Sequence, residues 1–266
     1  MAQKPILVVK IGGSIASKAQ NLAAELATCG QQAVLVHGGG PQESALSLAT
    51  NNPPRYLMSP EGFKSRYTDA KTMENFVMAV GGGVNSSLVQ LLCSKGAKAI
   101  GISGASAIIR AKRKTLRAVE NGREKIIRDD YSGKIISVDA APLRLLLDNG
   151  YLPVVAPIAL GEEFEALNVD GDRAAAAIAN ALGAKTLLLF TDVEGFYTNF
   201  PNGLLKAATS AQIPGLQKSA TGGMKRKLVA AQEALGGSVE KVVIASGIIA
   251  SPITSALAGN GTHFAK

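Results

Sequence analysis

The hydrophobic positions of this chain fall into short, nearly continuous apolar runs that are separated by longer segments with helical spacing. Six runs rich in β-branched residues lie at 6–10, 33–37, 97–103, 152–157, 186–191 and 241–246. Continuous apolar strands are typical of a parallel sheet covered on both faces, and their alternation with helices predicts β-α-β units. We therefore expect an α/β protein with a mostly parallel central sheet.

Helical spacing predicts the elements between these strands. The predicted helices span 18–29, 42–50, 69–95, 140–149, 171–182 and 224–235. Three consecutive glycines at 81–83 lie inside the third helix, where we expect a break or a kink. A lobe boundary is expected near 160–166, which divides the chain into an N-terminal lobe (1–165) and a C-terminal lobe (166–266).

Composition narrows the class of protein. With 266 residues, of which 47% are hydrophobic, the chain can bury a sizeable core. The longest apolar runs are shorter than the roughly 20 residues of a membrane span, and the N-terminus lacks the layout of a signal peptide. We expect a soluble cytoplasmic protein without a metal site, in which Cys29 and Cys93 are buried free thiols.

Most of the surplus charge lies in one stretch. The chain carries a net charge of +8, and residues 110–128 hold eight basic residues against two acidic ones. Asn121 and Gly122 favour a two-residue type I′ turn, so the stretch is predicted to be a projecting β-hairpin with Leu116 across from Ile127 and Arg117 across from Ile126. The hairpin is either a solvated surface feature or a docking arm for an acidic partner. Aromatic residues are only 5% of the chain, which weakens the case for a nucleic acid.

Two glycine-rich loops follow predicted strands. The first is VKIGGS (9–14) and the second is VHGGGP (36–41). Glycine amides at the carboxyl ends of parallel strands can approach an anion closely. Neither loop matches the dinucleotide or Walker patterns, and the chain lacks the GxSxG motif that accompanies an HGGG loop in esterases. Lys10 ends an apolar strand, so it either meets a counter-charge or extends to solvent from the strand edge.

Two further segments carry charges that match such a site. NVDGDRAAAAIA (168–179) opens a helix with Asn168, Asp170 and Asp172, which are either capping residues or site acids. TGGMKRKLVAA (221–231) places cations at a helix start, where they are unfavourable unless an anion is present. Glycine amides, two lysines and an orienting acid together favour phosphoryl transfer without a covalent enzyme intermediate.

The order of these motifs resembles the amino acid kinase superfamily, in its acetylglutamate kinase-like branch, over nearly the whole chain. The motifs are VKIGGS, VHGGGP, SRYTD (65–69) with KTMENFVMAVGGGVN, NVDGDRAA, TDVEG (191–195) and GGMKRK. Within that branch the chain is most similar to kinases of carrier-linked aminoadipate or glutamate, from the segments PPRYLMSPEGFKSRYTD (53–69), AKRKT, RDDYSGKI (128–135) and GGMKRKL. The resemblance implies a three-layer αβα sandwich, with acid substrate and carrier bound by the N-terminal lobe and the nucleotide by the C-terminal lobe.

The resemblance also implies roles for individual residues. Lys10 and Lys227 would contact the transferring phosphoryl group, and Asp172 would organise them. The implied acid-binding residues are Gly39, Gly40, Arg66 and Asn168, and the implied nucleotide-binding residues are Gly12, Gly13, Asp192, Gly195 and Tyr197. Carrier docking is assigned to Lys112, Arg113, Lys114 and Arg117.

The implied reaction is ATP-dependent phosphorylation of the side-chain carboxylate of aminoadipate, or also glutamate, linked to an acidic LysW-type carrier protein, in lysine and arginine biosynthesis. Mg²⁺ would enter with ATP without a direct protein ligand, and a homodimer is implied. An N-acetylglutamate kinase is the nearest alternative. A non-catalytic basic protein that binds nucleic acid is a remote one, because it has no use for Lys10, Asp172 and Lys227 together.

Overall fold

A computed structural model of the chain describes residues 5–58, 64–120 and 123–266. The strands are β1 (Ile6–Ile11), β2 (Gln32–His37), β3 (Arg55–Met58), β4 (Lys64–Tyr67), β5 (Ala99–Ser103), β6 (Ile109–Arg113), β7 (Leu116–Glu120), β8 (Arg123–Ile127), β9 (Gly133–Val138), β10 (Leu152–Ala156), β11 (Ile158–Leu160), β12 (Ala166–Asn168), β13 (Thr186–Thr191), β14 (Tyr197–Asn199), β15 (Asn202–Leu204), β16 (Ala207–Thr209), β17 (Lys241–Ser246) and β18 (Thr262–Ala265).

The helices are α1 (Gln20–Thr28), α2 (Gly40–Ala49), α3 (Ala70–Phe76), α4 (Asn85–Ser94), α5 (Ala141–Asp148), α6 (Gly171–Leu182), α7 (Ile213–Ser219), α8 (Gly222–Leu235) and α9 (Pro252–Leu257). Two short 3₁₀ helices span Ala16–Lys18 and Ser210–Gln212, and a π-helical segment, Val77–Val84, joins α3 to α4.

The central sheet has eight strands in the order β16-β18-β17-β13-β1-β2-β10-β5. All neighbouring pairs are parallel except β17 and β18. The six predicted strands are therefore confirmed as one mostly parallel sheet. Its six central strands end at one edge, where the loops after β1, β2 and β13 lie side by side.

Successive residues of the central strands bury opposite faces of the sheet, as strand geometry requires. In β1, Val8 packs into a core that includes α5, α6 and α8, whereas Leu7 and Val9 pack into a core that includes α1, α4 and α9. Two buried helical layers thus enclose the sheet. The three-layer αβα architecture is confirmed, and every central strand can be apolar throughout because both of its faces are buried.

A second sheet of four strands lies beside the first, in the order β12-β11-β6-β9. Its β6 strand corrects the predicted extent of the basic hairpin, because Arg110–Arg113 pair with β9 instead of joining the hairpin. The hairpin itself is shorter, from β7 to β8, with Leu116 opposite Ile127 and Arg117 opposite Ile126 as predicted. Its predicted Asn121-Gly122 turn lies outside the described residues.

The long helical region from Ala70 to Ser94 is continuous. The three glycines do not interrupt it, and the backbone widens into a π-helical segment instead. By length and composition alone this region could cross a membrane, which the sequence did not lead us to expect. Its residues Val80, Val84, Leu88 and Leu92 are buried in the protein core, so the region covers one of its faces with the rest of the protein.

The two thiols differ from the prediction. Cys29 and Cys93 are free, but Cys93 is exposed and Cys29 is only half-buried. Cys93 lies in the last turn of α4 on its outward side, whereas Leu88 and Leu92 take the buried side. The apolar surroundings of Cys93 in the sequence therefore belong to the opposite face of the helix.

Candidate active site

The site is built at the edge where the central strands end. In the register of the sheet, Lys10 lies between Val36 of β2 and Leu189 of β13. The N-terminus of α6 and the first turns of α8 carry Asp172 and Lys227 to the same place, although these two residues are 55 positions apart in the sequence. Open parallel sheets bind their ligands at this edge.

The centre of the site is an ion triad of three buried side chains. Lys10 Nζ lies 2.7 Å from Asp172 Oδ1, and Lys227 Nζ donates a hydrogen bond of 3.0 Å to the same oxygen. Each of the three residues is 5–6% exposed. The triad carries a net charge of +1, because Asp172 compensates only one of the two ammonium groups. One positive charge is therefore available to a bound anion.

The electrostatics of the triad favour its charged form at neutral pH. Burial alone would raise the pKa of the Asp172 carboxyl, but the Lys10 and Lys227 ammonium groups lower that pKa to about 2. Burial and the neighbouring Lys10 charge lower the pKa of Lys227, which Asp172 partly opposes. Asp172 therefore stays ionised and holds both ammonium groups in fixed positions.

Two acidic residues at the start of α6 have different contacts. Asp170 is the N-cap residue, and its Oδ1 accepts from the backbone N–H groups of Asp172 and Arg173 at 3.0 Å and 3.1 Å. Asp172 lies in the first turn and makes no cap hydrogen bond, because its carboxylate faces the two lysines. Of the two alternatives that the sequence left open, capping therefore applies to Asp170, whereas Asp172 faces the two lysines.

The two glycine loops are packed directly against each other. A Cβ atom on Gly13 would lie 2.8 Å from both N and Cα of Gly39, and a Cβ atom on Gly38 would lie 3.0 Å from the backbone N of Gly13. Gln42 Nε2 donates to the carbonyl of Gly13 at 3.0 Å and ties α2 to the first loop. Gly40, in contrast, has open space at the Cβ position, and a Cβ atom on Gly12 would make only an ordinary contact of 3.7 Å with Ser14 Oγ.

Arg66 lies on the side of the second glycine loop. Its guanidinium forms an ion pair with the fully buried Glu43, and its Nη2 donates to Ser44 Oγ at 2.6 Å. Both partners belong to the first turns of α2, which begins at Gly40. The Arg66 side chain is 17% exposed, so its charge reaches the surface next to the loop that contains Gly39 and Gly40.

Asn168 belongs to a set of hydrogen bonds that joins three segments. Its Nδ2 donates to Thr68 Oγ1 at 3.3 Å, and its backbone N–H donates to the carbonyl of Tyr131 at 2.9 Å. The buried Asp130 accepts from the backbone N–H groups of Thr68 and Ser132 at 2.8 Å and 2.7 Å. The SRYTD and RDDYS segments, which the sequence does not connect, are thereby held together beside Asn168.

Three of the residues assigned to the nucleotide, Asp192, Gly195 and Tyr197, follow β13, which pairs with β1 on the side opposite to β2. Asp192 is exposed and accepts from Thr191 Oγ1 at 3.1 Å, and Tyr197 is half-buried with its hydroxyl donating to Glu194 at 3.2 Å. A Cβ atom on Gly195 would lie 2.6 Å from Thr262 Oγ1, so packing against β18 already requires a glycine there.

The four cations assigned to docking are not equivalent. Lys112 and Arg117 are exposed, and Lys112 makes only a long contact of 3.9 Å with Glu162. The Arg113 guanidinium stacks on the Tyr131 ring at 3.8 Å, and Lys114 is half-buried, which lowers its pKa. Of the four assigned cations, Lys112 and Arg117 are therefore exposed to solvent, whereas Arg113 and Lys114 are partly covered by the protein.

Two buried polar residues of the site were missed by the sequence reasoning. His37 precedes the second glycine loop and is fully buried, and Asn85 contacts it from α4. The sequence offered one signal for both residues, a polar side chain next to an apolar segment. Asn85 directly follows Val77–Val84, and His37 ends the apolar strand β2. Within the described part of the chain, no group of three or more His, Cys, Asp or Glu side chains is placed to hold a metal ion.

Comparison with known sequences identifies relatives over the whole chain. The model of the Amino acid kinase family matches residues 5–246. The [LysW]-aminoadipate kinase of Thermus thermophilus is 41% identical over 266 residues, covering 97% of this chain and 99% of the relative. The [LysW]-aminoadipate/[LysW]-glutamate kinase of Metallosphaera sedula is 38% identical, covering 97% of this chain and 99% of the relative.

Solved structures share the fold. N-acetylglutamate synthase from Neisseria gonorrhoeae, complexed with coenzyme A and N-acetyl-glutamate, matches with a TM-score of 0.80 and 26% identity, covering 98% of this chain. The chain spans only 59% of the length of that synthase. Carbamate kinase from Giardia lamblia bound to AMP-PNP matches with a TM-score of 0.69 and 18% identity over the full length of both chains, which supports the fold alone.

Proposed function

This chain belongs to the amino acid kinase family and is an ATP-dependent kinase, and we propose that its acceptor is the side-chain carboxylate of aminoadipate linked to a LysW-type carrier protein. The product would be an acyl phosphate of lysine biosynthesis. Glutamate on the same type of carrier is a second acceptor, supported by the name of the Metallosphaera sedula relative. Action in the cytoplasm and as a homodimer belongs to the same proposal.

The observation that carries the chemistry is the buried ion triad beneath two glycine loops. An acceptor carboxylate oxygen attacks the γ-phosphorus of ATP, the bond to the bridging oxygen of ADP breaks, and the phosphoryl group passes to the acceptor. Lys10 and Lys227 stabilise the negative charge on the transferring group, while Asp172 holds their ammonium groups. This is catalysis by position and charge, without a covalent enzyme intermediate.

The two sides of the triad suggest how the substrates divide. We assign the acid to the side of Arg66, Asn168, Gly39 and Gly40, and ATP to the side of Gly12, Gly13, Asp192, Gly195 and Tyr197. Under this assignment residues 1–165 bind mainly the acid and its carrier and residues 166–266 mainly the nucleotide, with Gly12 and Gly13 reaching the nucleotide from the first lobe and Asn168 the acid from the second. Mg²⁺ would bind through ATP phosphate oxygens and water, while Asp172 Oδ1 stays in contact with both lysines.

For the carrier we propose a docking surface that extends the predicted one. Besides Lys112, Arg113, Lys114 and Arg117, a groove of about 360 Å³ between the β3–β4 and β7–β8 ribbons is lined by Arg55, Lys125 and Arg128 over an apolar floor that includes Leu57 and Ile126. Its one acid, Asp129, accepts from Tyr67 Oη at 2.5 Å. Such a surface suits an acidic protein segment with some apolar side chains.

The acceptor is tested by ADP release and acyl phosphate formation with three substrates: carrier-linked aminoadipate, carrier-linked glutamate and free N-acetylglutamate. The proposal expects kcat/KM for the carrier-linked acids to exceed that for the free acid by at least tenfold. A preference for free N-acetylglutamate would make the chain an N-acetylglutamate kinase, and the kinase assignment would stand while the carrier assignment would fall.

The docking surface is tested by the double charge reversal Lys112→Glu/Arg117→Glu, which changes the two exposed residues among the four cations assigned from the sequence. We expect a higher KM for the carrier-linked acid, little change in kcat at saturation, and a weaker salt dependence of kcat/KM than in the wild type. The matched control is Lys95→Glu/Lys98→Glu. These two lysines are exposed and precede β5, so they lie at the amino ends of the parallel strands, away from the candidate site. Equal effects of the two double variants would refute a localised docking surface.

A further inference from the structure

A short chain of hydrogen bonds lies beneath the second glycine loop. His37 is fully buried at the end of β2, with its Nδ1 2.9 Å from the carbonyl oxygen of Gly38 and its Nε2 3.0 Å from Nδ2 of Asn85. Asn85 Nδ2 also lies 2.9 Å from the carbonyl oxygen of Val154 in β10. The chain therefore connects β10, α4, β2 and the glycine loop.

The partners in this chain determine which imidazole nitrogen carries the proton. The Val154 carbonyl can only accept, so it requires the amide nitrogen of Asn85 to face it, and that nitrogen must also donate to His37. His37 Nε2 is therefore the acceptor. At the other ring nitrogen the Gly38 carbonyl can only accept, so Nδ1 carries the hydrogen. Both ends of the chain lead independently to the neutral Nδ1–H tautomer.

The backbone at Gly101 accommodates this arrangement. A Cβ atom on Gly101 would lie 2.0 Å from Asn85 Oδ1, so only a glycine at this position of β5 leaves room for the amide in its observed orientation. The orientation of Asn85 is therefore fixed by packing as well as by its two hydrogen bonds.

The hydrogen bond from His37 also orients a peptide unit in the loop. The Gly38–Gly39 peptide is trans, since the only cis bond among the described residues is Phe200-Pro201. In a trans peptide the N–H points away from the C=O. Fixing the Gly38 carbonyl therefore fixes the direction of the Gly39 amide, which lies 2.8 Å from the position that a Cβ atom on Gly13 would take.

We propose that Asn85 and His37 are positioning residues, which hold the glycine loop for phosphoryl transfer by locking His37 in its neutral Nδ1–H tautomer. A neutral imidazole also adds no third positive charge near Lys10 of the neighbouring strand β1, whose ammonium is already paired with Asp172 of α6. Burial is the main reason why the pKa of His37 is lowered to about 4; the hydrogen bond to the Gly38 carbonyl opposes this shift, and the Lys10 charge adds to it. The inference rests on the kinase activity, and not on the identity of the acceptor.

The tautomer is tested directly by nitrogen-detected NMR of the wild-type enzyme. The chain has two histidines, His37 and His263, so their imidazole signals are assigned with a single variant, His263→Gln. We expect His37 to give the signals of the neutral Nδ1–H tautomer without change from pH 5.5 to pH 8. Signals of the Nε2–H tautomer, or a titration midpoint near 6.5, would overturn the proposal whatever the variants below do.

Function is tested by a pair of substitutions at His37 that separate the two ring nitrogens. An asparagine amide can take the place of Nδ1 and a glutamine amide that of Nε2, so His37→Asn retains the donor to Gly38 and His37→Gln loses it. We expect His37→Asn to keep kcat within about threefold, and His37→Gln to lose roughly 10- to 100-fold, the scale of a misplaced catalytic contact. Equal losses of kcat in both would reduce His37 to a packing residue.

The role of Asn85 is tested by Asn85→Asp. A carboxylate beside Nε2 favours the imidazolium, so His37 becomes charged near neutral pH and kcat acquires a new dependence, rising as pH increases from 6 to 8.5. Asn180→Asp, a half-buried change of the same charge near the end of α6, should leave the kcat profile unchanged. A flat profile for Asn85→Asp, at whatever absolute rate, would refute the tautomer lock.

Discussion

The ion triad makes a quantitative prediction for the substitution Asp172→Asn. The change keeps the size and shape of the side chain and removes the only charge that compensates Lys10 and Lys227 within the triad. Because both ammonium nitrogens contact the same oxygen, at 2.7 Å and 3.0 Å, they lie within about 6 Å of each other. The variant would therefore hold two neighbouring buried cations without a counter-charge.

The cost of this arrangement has a lower and an upper bound. Two unit charges about 5 Å apart repel by about 3 kcal/mol at an effective dielectric constant of 20, which agrees with the 3–5 kcal/mol lost when one partner of a buried ion pair is removed. The protein can escape further loss by releasing a proton from one lysine, which costs about 5 kcal/mol at pH 7 from the ordinary lysine pKa. We expect the free energy of unfolding to fall by about 3–5 kcal/mol at pH 7.

The same electrostatics give a sign for the pH dependence. In the variant a lysine has a lower pKa in the folded than in the unfolded state, so the unfolded state binds more protons and stability rises with pH. Urea unfolding of Asp172→Asn should therefore show recovery between pH 7 and pH 9, by up to about 1.4 kcal/mol per pH unit. We expect kcat to fall by roughly 10²- to 10³-fold at pH 7, because the lysines lose their fixed positions.

Asp170→Asn is the matched control, since it removes the same charge two residues away. Asparagine caps a helix about as well as aspartate, so its free energy of unfolding should stay within about 0.5 kcal/mol of the wild type. The electrostatic role of Asp172 would be refuted if Asp172→Asn lost less than about 1 kcal/mol, independently of pH, or if the two variants behaved alike.

Three further predictions concern single groups of the site. Lys10→Ala and Lys227→Ala should each lower kcat by roughly 10²- to 10³-fold at saturating ATP and acceptor, and near-normal rates in both would remove them from catalysis. Arg66→Lys should raise KM for the acceptor much more than KM for ATP, because lysine cannot reproduce a bidentate contact to a carboxylate; equal changes in the two constants would place Arg66 outside the acid pocket. Since the pKa of His37 is lowered from 6.5 to about 4, the unfolded state binds the extra proton, and stability should fall by about 3 kcal/mol as pH drops from 6.5 to 4. In chemical denaturation, His37→Asn should make the free energy of unfolding nearly independent of pH in this range. A variant with the same pH dependence as the wild type would contradict this prediction.

The central sheet was predictable because its strands are buried on both faces. A continuous apolar run such as Thr186–Thr191 does not suit a strand with one face in water, and all six predicted strands lie within two residues of their observed ends. The strands of the second sheet were not predicted, because β11 and β12 have only three residues each and carry no periodic pattern.

The basic segment shows a different limit. The sequence pattern placed Arg110–Arg113 in the first arm of the hairpin. In the structure this segment pairs with β9 instead, and Ile109 and Ala111 are buried in the core. The pairing of β7 with β8 depended on a local turn signal and was predicted in register. Local signals therefore placed the hairpin, whereas long-range packing determined where it begins.

The candidate site shows the same division between local and long-range information. Lys10 was found because a cation at the end of an apolar strand is costly without a counter-charge. The cations at the start of α8 gave a similar signal, and the family resemblance selected Lys227 among them. That Asp172 and not Asp170 faces them depends on helix geometry over two residues, which composition cannot resolve. Glu43 and Asn85 were missed because their partners, Arg66 and His37, lie 23 and 48 positions away in the sequence.

The contact between Gly13 and Gly39 has a consequence for how this chain can diverge. Because each glycine would clash with the backbone of the other loop or with Val80 if it carried a side chain, neither position can drift on its own, even to alanine. Gly40 has free space and Gly12 only an ordinary contact with Ser14 Oγ at 3.7 Å, so packing alone leaves room for an alanine at both positions. Among related sequences, glycine should therefore be retained at both constrained positions for packing alone, whereas at Gly12 and Gly40 only ligand binding can select for it.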